Sequence, residues 1–317
     1  MKLGLIFVFT VLLLNIKCDF ISEVVDQFKN EIKTWESVNP SESVFKGWSK
    51  EDIQNILGTR LLPSLNDKLN EAFDLISKTK EKGNLKDLPT DFDSRTQWPK
   101  CIHQIRDQGH CGSCWAHGVS EALSDRFCIA SNNQINVILS PQDLVSCNKF
   151  VDFGCNGGIP LMAYTYTALS GLVTEECFPY TSGHTEVNGP CIIKKDKCVD
   201  ASIPYKKYKS QLMSIRTHTN VEEIKADIYN NGPITAAMSV YSDFMSYSSG
   251  IYVRHSNDYL GGHAIKGIGW GYDPTTKLHY WIMANSWSPN WGENGYFRIK
   301  MGECGIDSAV TRAEPSI

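Results

Sequence analysis

The sequence predicts an α+β protein of two subdomains, a helical one followed by a β-rich one, behind a removable N-terminal segment. Three observations carry this. Up to about Ser170 the apolar residues recur at helical spacing. Beyond Ser210 they gather into short runs rich in Val, Ile and aromatics, divided by Gly, Pro and Asn. The stretch from about Phe20 to Asp87 is free of cysteine and rich in Lys, Glu, Asp and Asn. A chain of 317 residues with 42% hydrophobic, 21% charged and 11% aromatic residues has an ordinary globular composition. Its formal net charge of -4, without a long run of one sign, gives no support to nucleic-acid binding, which needs a clustered basic surface.

Lys2 precedes an apolar run from Leu3 to Leu14, and a short polar stretch from Asn15 to Asp19 follows. The pattern is that of a signal peptide over residues 1–18 rather than a buried helix, and a bilayer core of about 30 Å would need roughly 20 apolar residues. No second run of spanning length follows, so a soluble mature chain without a membrane anchor is expected. Residues 19–87 then read as a prosegment. One amphipathic helix fits near Ser22 to Trp35, with Val24, Val25, Phe28, Ile32 and Trp35 at helical spacing. A second fits near Ser49 to Leu57, with Ser49 as its cap and Ile53, Ile56 and Leu57 apolar. Lys78 to Lys86 is a polar connector of the kind proteases cut. Its place, after a signal and before the first chemistry-bearing motif, favours a removable segment over a small extra domain.

From Leu88 onward the clearest helix is Cys114 to Cys128, and Ser140 to Val145 is a second with Pro141 in its first turn. Strands are expected at Ile234 to Val240, Gly262 to Trp270, His279 to Asn285 and Gly295 to Lys300. Residues of about 98–210 would form the helical subdomain and 211–317 the β subdomain, with a cleft between them.

Export makes the eleven cysteines readable as disulfides. Cys18 leaves with the signal. If Cys114 stays free for chemistry, nine remain, so one more is unpaired, and isolated Cys304 is the candidate. The other eight allow four bridges in any of about 105 pairings. A metal reading of Cys111-x-x-Cys114 lacks a second close ligand pair, so neither metal nor cofactor is expected.

The stretch Gln108-Gly-His-Cys-Gly-Ser-Cys-Trp-Ala-His117 points to nucleophilic chemistry. The thiolate is the reactive form of cysteine, and the partial positive charge at a helix start lowers a thiol pKa. Cys114 sits at such a start, with its own N–H free to bind an oxyanion, and Gln108 can offer a side-chain amide to the same oxygen. Gly109 and Gly112 permit close backbone approach. Among eight histidines, His263 opens a strand after the pair Gly261-Gly262, and Asn285, followed by Ser286-Trp287, ends another. The Asn285 amide could hold the imidazole facing the sulfur, and Trp287 could cover that bond from water.

These motifs resemble the papain superfamily of cysteine proteases, most closely its cathepsin B branch. The resemblance spans Leu88 to Pro315. It is carried by Leu88-Pro89, Phe92-Asp-Ser-Arg95, Trp98-Pro99, Arg106-Asp-Gln-Gly109, Cys111-Gly-Ser-Cys-Trp115 and Gly154-Cys-Asn-Gly-Gly158. Further along come Asn231-Gly-Pro233, Val240-Tyr-Ser-Asp-Phe244, Gly261-Gly-His-Ala-Ile265, Asn285-Ser-Trp287, Trp291-Gly292 and Cys304-Gly-Ile306. The resemblance implies a papain-like fold, its second half barrel-like, with Cys114 as nucleophile, His263 as acid/base, Asn285 as its orienting partner and Gln108 as oxyanion donor. By the same resemblance Gly157 and Gly158 hold the substrate backbone, and Gly112, Ile159, Pro160, Gly262, Ala264, Trp287 and Ala309 complete the substrate site. Thr34-Trp35 and Phe45 resemble the short cathepsin B prosegment. That implies an inhibitor lying through the cleft and a mature start near Leu88. The matching cysteines imply bridges Cys101 to Cys128, Cys111 to Cys155, Cys147 to Cys191 and Cys177 to Cys198. Protein and peptide substrates, cystatin-like inhibitors, a monomeric state and a lysosome-like, vacuolar or secreted location are the family's expectations.

Three departures stand out. Cathepsin B owes its carboxydipeptidase activity to an occluding loop with two adjacent histidines, whereas Cys177 to Cys191 here holds only His184, which suggests an endopeptidase. Ala309 stands where cathepsin B has the glutamate that lets its pocket accept arginine, which suggests a preference for Leu, Val or Phe. His117 replaces the usual aromatic and is expected to pack with one hydrogen bond. A silent, disulfide-stapled binding protein would lack a nucleophile, base or oxyanion donor, and none is lacking. A serine or metal hydrolase would show G-x-S-x-G or H-E-x-x-H, and neither occurs.

Overall fold

The structure, a computed structural model, describes residues 19–61, 68, 71, 88–149 and 152–317, so the expected signal peptide and the connector Lys78 to Lys86 lie outside it. The prosegment opens with α1 (Phe20–Phe28), capped by Asp19, whose side chain accepts from the Ile21 amide, and burying Ile21, Val24 and Phe28. The helix expected to reach Trp35 stops at Phe28. Trp35 instead begins β1 (Trp35–Ser37), which pairs antiparallel with a strand of the β half. Tertiary contacts outweigh helical spacing here: the Trp35 indole donates to the Val253 carbonyl at 3.0 Å, and its ring packs against Tyr252 at 5.3 Å. Helix α2 (Lys50–Ile56) has a reciprocal capping box between Ser49 and Asp52 and buries Ile53 and Ile56.

The helical half follows with β2 (Phe92–Asp93), α3 (Ser94–Gln97), α4 (Cys114–Ala130), α5 (Pro141–Cys147), α6 (Pro160–Leu169) and α7 (Ser182–Thr185). Ser140 caps α5, with Pro141 in the first turn. Four disulfides, Cys101–Cys128, Cys111–Cys155, Cys147–Cys191 and Cys177–Cys198, all lie within this half, while Cys114 and Cys304 are free thiols.

The second half contains β3 (Arg216–His218), α8 (Val221–Asn231), β4 (Ile234–Tyr241), β5 (Tyr247–Tyr252), β6 (Tyr259–Asp273), β7 (Leu278–Ala284), β8 (Tyr296–Lys300) and β9 (Val310–Arg312). Their order is β1-β5-β8-β7-β6-β4-β9-β3, with β2 also on β6, and the β5 to β8 pair is parallel. The half is therefore an open mixed sheet rather than the barrel-like unit expected. Closure needs the two edges to pair, and here β3 ends one edge while prosegment strand β1 covers the other.

Helix α4 is buried continuously from Cys114 to Cys128 because it runs between the halves. Its charged residues are matched across that interface. Lys266 of β6, 1% exposed, reaches Asp125 at 2.7 Å. Arg126 donates to the carbonyls of Pro233 at 2.6 Å and Gly232 at 3.1 Å, and pairs with Asp227 at 2.7 Å and Glu314 at 2.8 Å. Burial alone would push the Asp227 carboxyl up, but Arg126 and Arg312 hold it well below the ordinary range.

Removing one partner from such a pair leaves a buried charge. Arg126→Met is expected to lower stability by about 3 kcal/mol, and loss of the exposed Lys29–Asp26 pair by under about 0.5 kcal/mol, as read by denaturant unfolding.

Candidate active site

Cys114 is the first residue of α4 and is fully buried. Its sulfur lies 3.1 Å from the Thr59 hydroxyl of the prosegment and also receives backbone hydrogen bonding from Gly58, Trp115 and Ala264. Ala264 follows His263 on β6, where pairing with β4 sets Met238 opposite His263 and Ala237 opposite Ala264. The sheet thus delivers the imidazole-bearing segment to the helix tip.

Asn285 lies one residue beyond β7, and its Oδ1 is 2.7 Å from His263 Nε2. The same oxygen accepts from the Ser286 amide at 2.8 Å, which identifies it as the amide oxygen. Nε2 must therefore carry the hydrogen, and Nδ1 is left with a lone pair. That nitrogen is buried and has no hydrogen-bond partner among the described residues. The Trp287 ring stacks on the imidazole with centroids 4.4 Å apart.

Gln108 is fully buried, and both hydrogens of its amide are engaged. Nε2 donates to the Cys111 carbonyl at 2.9 Å and to the Ile56 carbonyl of the prosegment at 2.8 Å. Oε1 accepts from the Ser286 hydroxyl at 2.7 Å, which turns the NH2 end towards the cleft. Sequence reading passed over Ser286. Its place inside Asn285-Ser-Trp287, between two singled-out residues, was the available signal.

The prosegment fills the cleft as an extended strand. The Gly158 amide donates to Gly58 at 2.9 Å, Arg60 donates to Gly158 at 3.0 Å, and Thr59 donates to Gly262 at 3.0 Å. Contact is close enough that a Cβ on Gly58 would lie 1.8 Å from the Gly112 carbonyl oxygen, and one on Gly262 would lie 2.1 Å from the Thr59 oxygen. Gly157 flanks the same strand beside the Gly58 carbonyl. Ile159, Pro160 and Ala309 line a cavity of about 200 Å³ together with Leu61, Met238 and Cys304.

Electrostatics in this covered state run against the helix-tip expectation. Burial pushes the Cys114 thiol up, outweighing the hydrogen bonds from Thr59, Ala264, Gly58 and Trp115. Burial likewise lowers His263 to about 4, although the bond to Asn285 acts the other way. Both shifts act towards the neutral thiol and the neutral imidazole, and their shared cause is burial.

A buried thiol at a helix tip, an amide-oriented imidazole on the facing sheet and a peptide strand laid between them define a zymogen of the cysteine hydrolases that pair Cys with His. The chain belongs to the papain family of cysteine proteases, whose family model matches residues 88–313. It is 42% identical over 259 residues to cathepsin B-like cysteine proteinase 4 of Caenorhabditis elegans, covering 73% of this chain and 76% of that protein. It is 39% identical over 297 residues to the gut-specific cysteine proteinase of the same organism, covering 88% of this chain and 89% of that one. Among solved structures, proCathepsin B S9 from Trypanosoma congolense matches with a TM-score of 0.79 at 29% identity, over 94% of this chain and 98% of that one. The protein is a cathepsin B-like cysteine protease, and the prosegment lies bound to its protease domain.

Two outcomes follow from the covered cleft. A synthetic peptide of residues 45–61 should inhibit the mature domain, and Gly58→Ala should weaken that inhibition by roughly ten- to a hundred-fold, since an added methyl meets backbone rather than a movable side chain. The second concerns pH. Burial holds His263 at about 4 in the covered state, below the ordinary 6.5 taken for the open site, so the covered state holds fewer protons. Prosegment affinity should be fully present above pH 6.5 and fall by up to about tenfold per unit as pH drops towards 4. Titrating peptide binding to the Cys114→Ala domain with and without His263→Ala isolates His263 from groups such as Asp152 and Asp258, and a loss on acidification that is the same in both would contradict it.

Proposed function

We propose that the mature domain is an endopeptidase that cleaves peptide bonds through a thioester, with Cys114 as nucleophile and His263 as its acid/base. The carrying observation is the prosegment's own main chain: it crosses the cleft with the Ile56 carbonyl on Gln108 Nε2 and Thr59 against the Cys114 sulfur. A substrate would take the same groups.

Once the prosegment leaves, the thiol proton passes to His263 Nδ1, and the thiolate attacks the scissile carbonyl carbon. The oxyanion receives Gln108 Nε2, freed from Ile56, and the Cys114 N–H. The imidazolium gives its proton to the leaving amine as the C–N bond breaks, and a thioester remains. Water, deprotonated by His263, then attacks the thioester, releasing the acid and returning the proton to sulfur. Asn285 keeps Nε2 occupied, so that Nδ1 handles the proton throughout.

Support for internal cleavage comes from the segment Cys177 to Cys191. It is folded onto the helical half, where Gln142 Oε1 accepts from the Thr181 and Ser182 amides, Gly183 accepts from the His110 amide, and its one histidine, His184, is exposed. The prosegment also extends to both sides of Cys114. The apolar cavity beside Ala309 supports a preference for Leu, Val or Phe at the second residue before the cleaved bond. We place the enzyme in the secretory route, ending in acidic vesicles or outside the cell. It would work there as a monomer on protein and peptide substrates, open to cystatin-like inhibitors.

Acid-activated enzyme should cleave internally quenched peptides with blocked C-termini, while Cys114→Ala should leave them intact. Leu should exceed Arg at the second position by about tenfold in kcat/KM, equivalent to about 1.4 kcal/mol, and Ala309→Glu should narrow or reverse that ratio. Release of C-terminal dipeptides with little internal cleavage would instead identify a carboxydipeptidase.

A further inference from the structure

The prosegment contacts the cleft with side chains as well as backbone, and one such contact involves a residue outside the catalytic set. Trp48 stacks on His110, with ring centroids 4.1 Å apart and an interplanar angle of 24°. Trp48 also meets Phe45 edge-on at 5.3 Å, and Phe45 meets Trp287 edge-on at 5.4 Å. Four rings thus form a ladder from Trp287, over His263, out to His110.

The side of the cleft it occupies follows from the chemistry proposed above. Arg60 and Leu61 lie at the cavity beside Ala309, on the acyl side. The imidazole must reach the departing amine, so the leaving-group side lies towards His263 and the Trp287 ring stacked on it. Phe45 and Trp48 precede Gly58 in the chain and sit on this side.

His110 is also held in place. Its amide donates to the Gly183 carbonyl at 2.9 Å, and the preceding Gly109 amide donates to Asp107 Oδ1 at 2.9 Å. Asp107 is bridged to Trp287, and Gln108 donates to the Ser286 carbonyl at 2.9 Å. The backbones carrying the two terminal rings are therefore coupled, while the His110 side chain remains exposed and Trp48 half-buried above it. An exposed imidazole fixed by its main chain offers a flat face to another ring at little ordering cost.

We propose that His110 is a specificity-determining residue whose ring, next to that of Trp287, forms a subsite for an aromatic side chain on the leaving-group side of the substrate, and that in the zymogen Trp48 occupies the His110 face while Phe45 covers the Trp287 edge. This rests on the endopeptidase reading.

The test uses acid-activated wild type, His110→Ala and His110→Phe on quenched peptides that share one acyl side and carry Trp or Ala at each of the first three positions after the cleaved bond. Wild type should favour Trp over Ala by about fivefold in kcat/KM at one position. The ratio should fall to near one in His110→Ala and return in His110→Phe. No Trp preference in wild type, or one that survives His110→Ala, overturns the inference and leaves the endopeptidase reading intact. If no internal bond is cleaved, that reading fails, and binding of the 45–61 peptide to the Cys114→Ala domain decides the subsite. Trp48→Ala should weaken binding about fivefold to the domain with His110 and little to one also carrying His110→Ala; equal weakening overturns the inference.

Discussion

The seam between α4 and β6 is the contact on which the site depends. The sulfur belongs to the helix and the imidazole to the sheet, and every disulfide among the described residues lies on the helical side of the seam. Non-covalent contacts alone therefore set their relation along this interface. Gly118 lets the helix approach β4, where the Thr235 hydroxyl donates to the Gly118 carbonyl at 2.9 Å. Below it the Asp125–Lys266 and Arg126–Asp227 pairs add buried charges that tolerate few alternative geometries. Such pairs contribute little net stability over an apolar replacement. Their effect here is positional, because a slip along the helix would strand several charges at once.

The prosegment exploits the same seam from above. Its strand bonds to Gly158 on the helical side and Gly262 on the sheet side, so it spans the halves. Its apolar residues Ile21, Trp35, Phe45, Ile53 and Ile56 merge with the core of the β half, which explains how a short segment holds its place. Covering the cleft also changes the chemistry. The helix tip favours a thiolate, but complete burial of Cys114 and His263 makes the charged pair costlier than the neutral one. The bound prosegment thus goes with a change in the charge of the site as well as in access to it.

Much of this was legible in the sequence where local chemistry decides the outcome. Ser49 announces α2, Pro141 announces α5, and the Gly261-Gly262-His263 run marks a strand, although β6 begins at Tyr259 and holds both glycines. What stayed hidden depends on distant partners. Trp35 has helical spacing but leaves the helix because Val253 and Tyr252 offer more. Helix α8 was missed inside the strand-rich half, although Asn220 followed by Glu222 and Glu223 is a recognisable start. The open sheet edge depends on which strand the prosegment covers. The direction of the Cys114 shift depends on burial, to which a motif is blind.

His117 shows how a departure from the family pattern can be accommodated. The ring sits one turn after Cys114, fully buried, and meets Tyr180 edge-on at 4.6 Å. An imidazolium there would oppose protonation of His263. Burial, reinforced by Arg106, lowers His117 to about 3, so the ring stays neutral and packs as the usual aromatic would. Its Nδ1 donates to the Ser113 carbonyl at 3.1 Å, and the Ser113 hydroxyl reaches Tyr180, whose own hydroxyl donates to the Gln108 carbonyl at 2.8 Å. Gln108 is thereby fixed twice, through its main chain by Tyr180 and through its side chain by Ser286. An amide donor held from both ends needs no rearrangement when charge develops before it, which suits the oxyanion role proposed for Gln108.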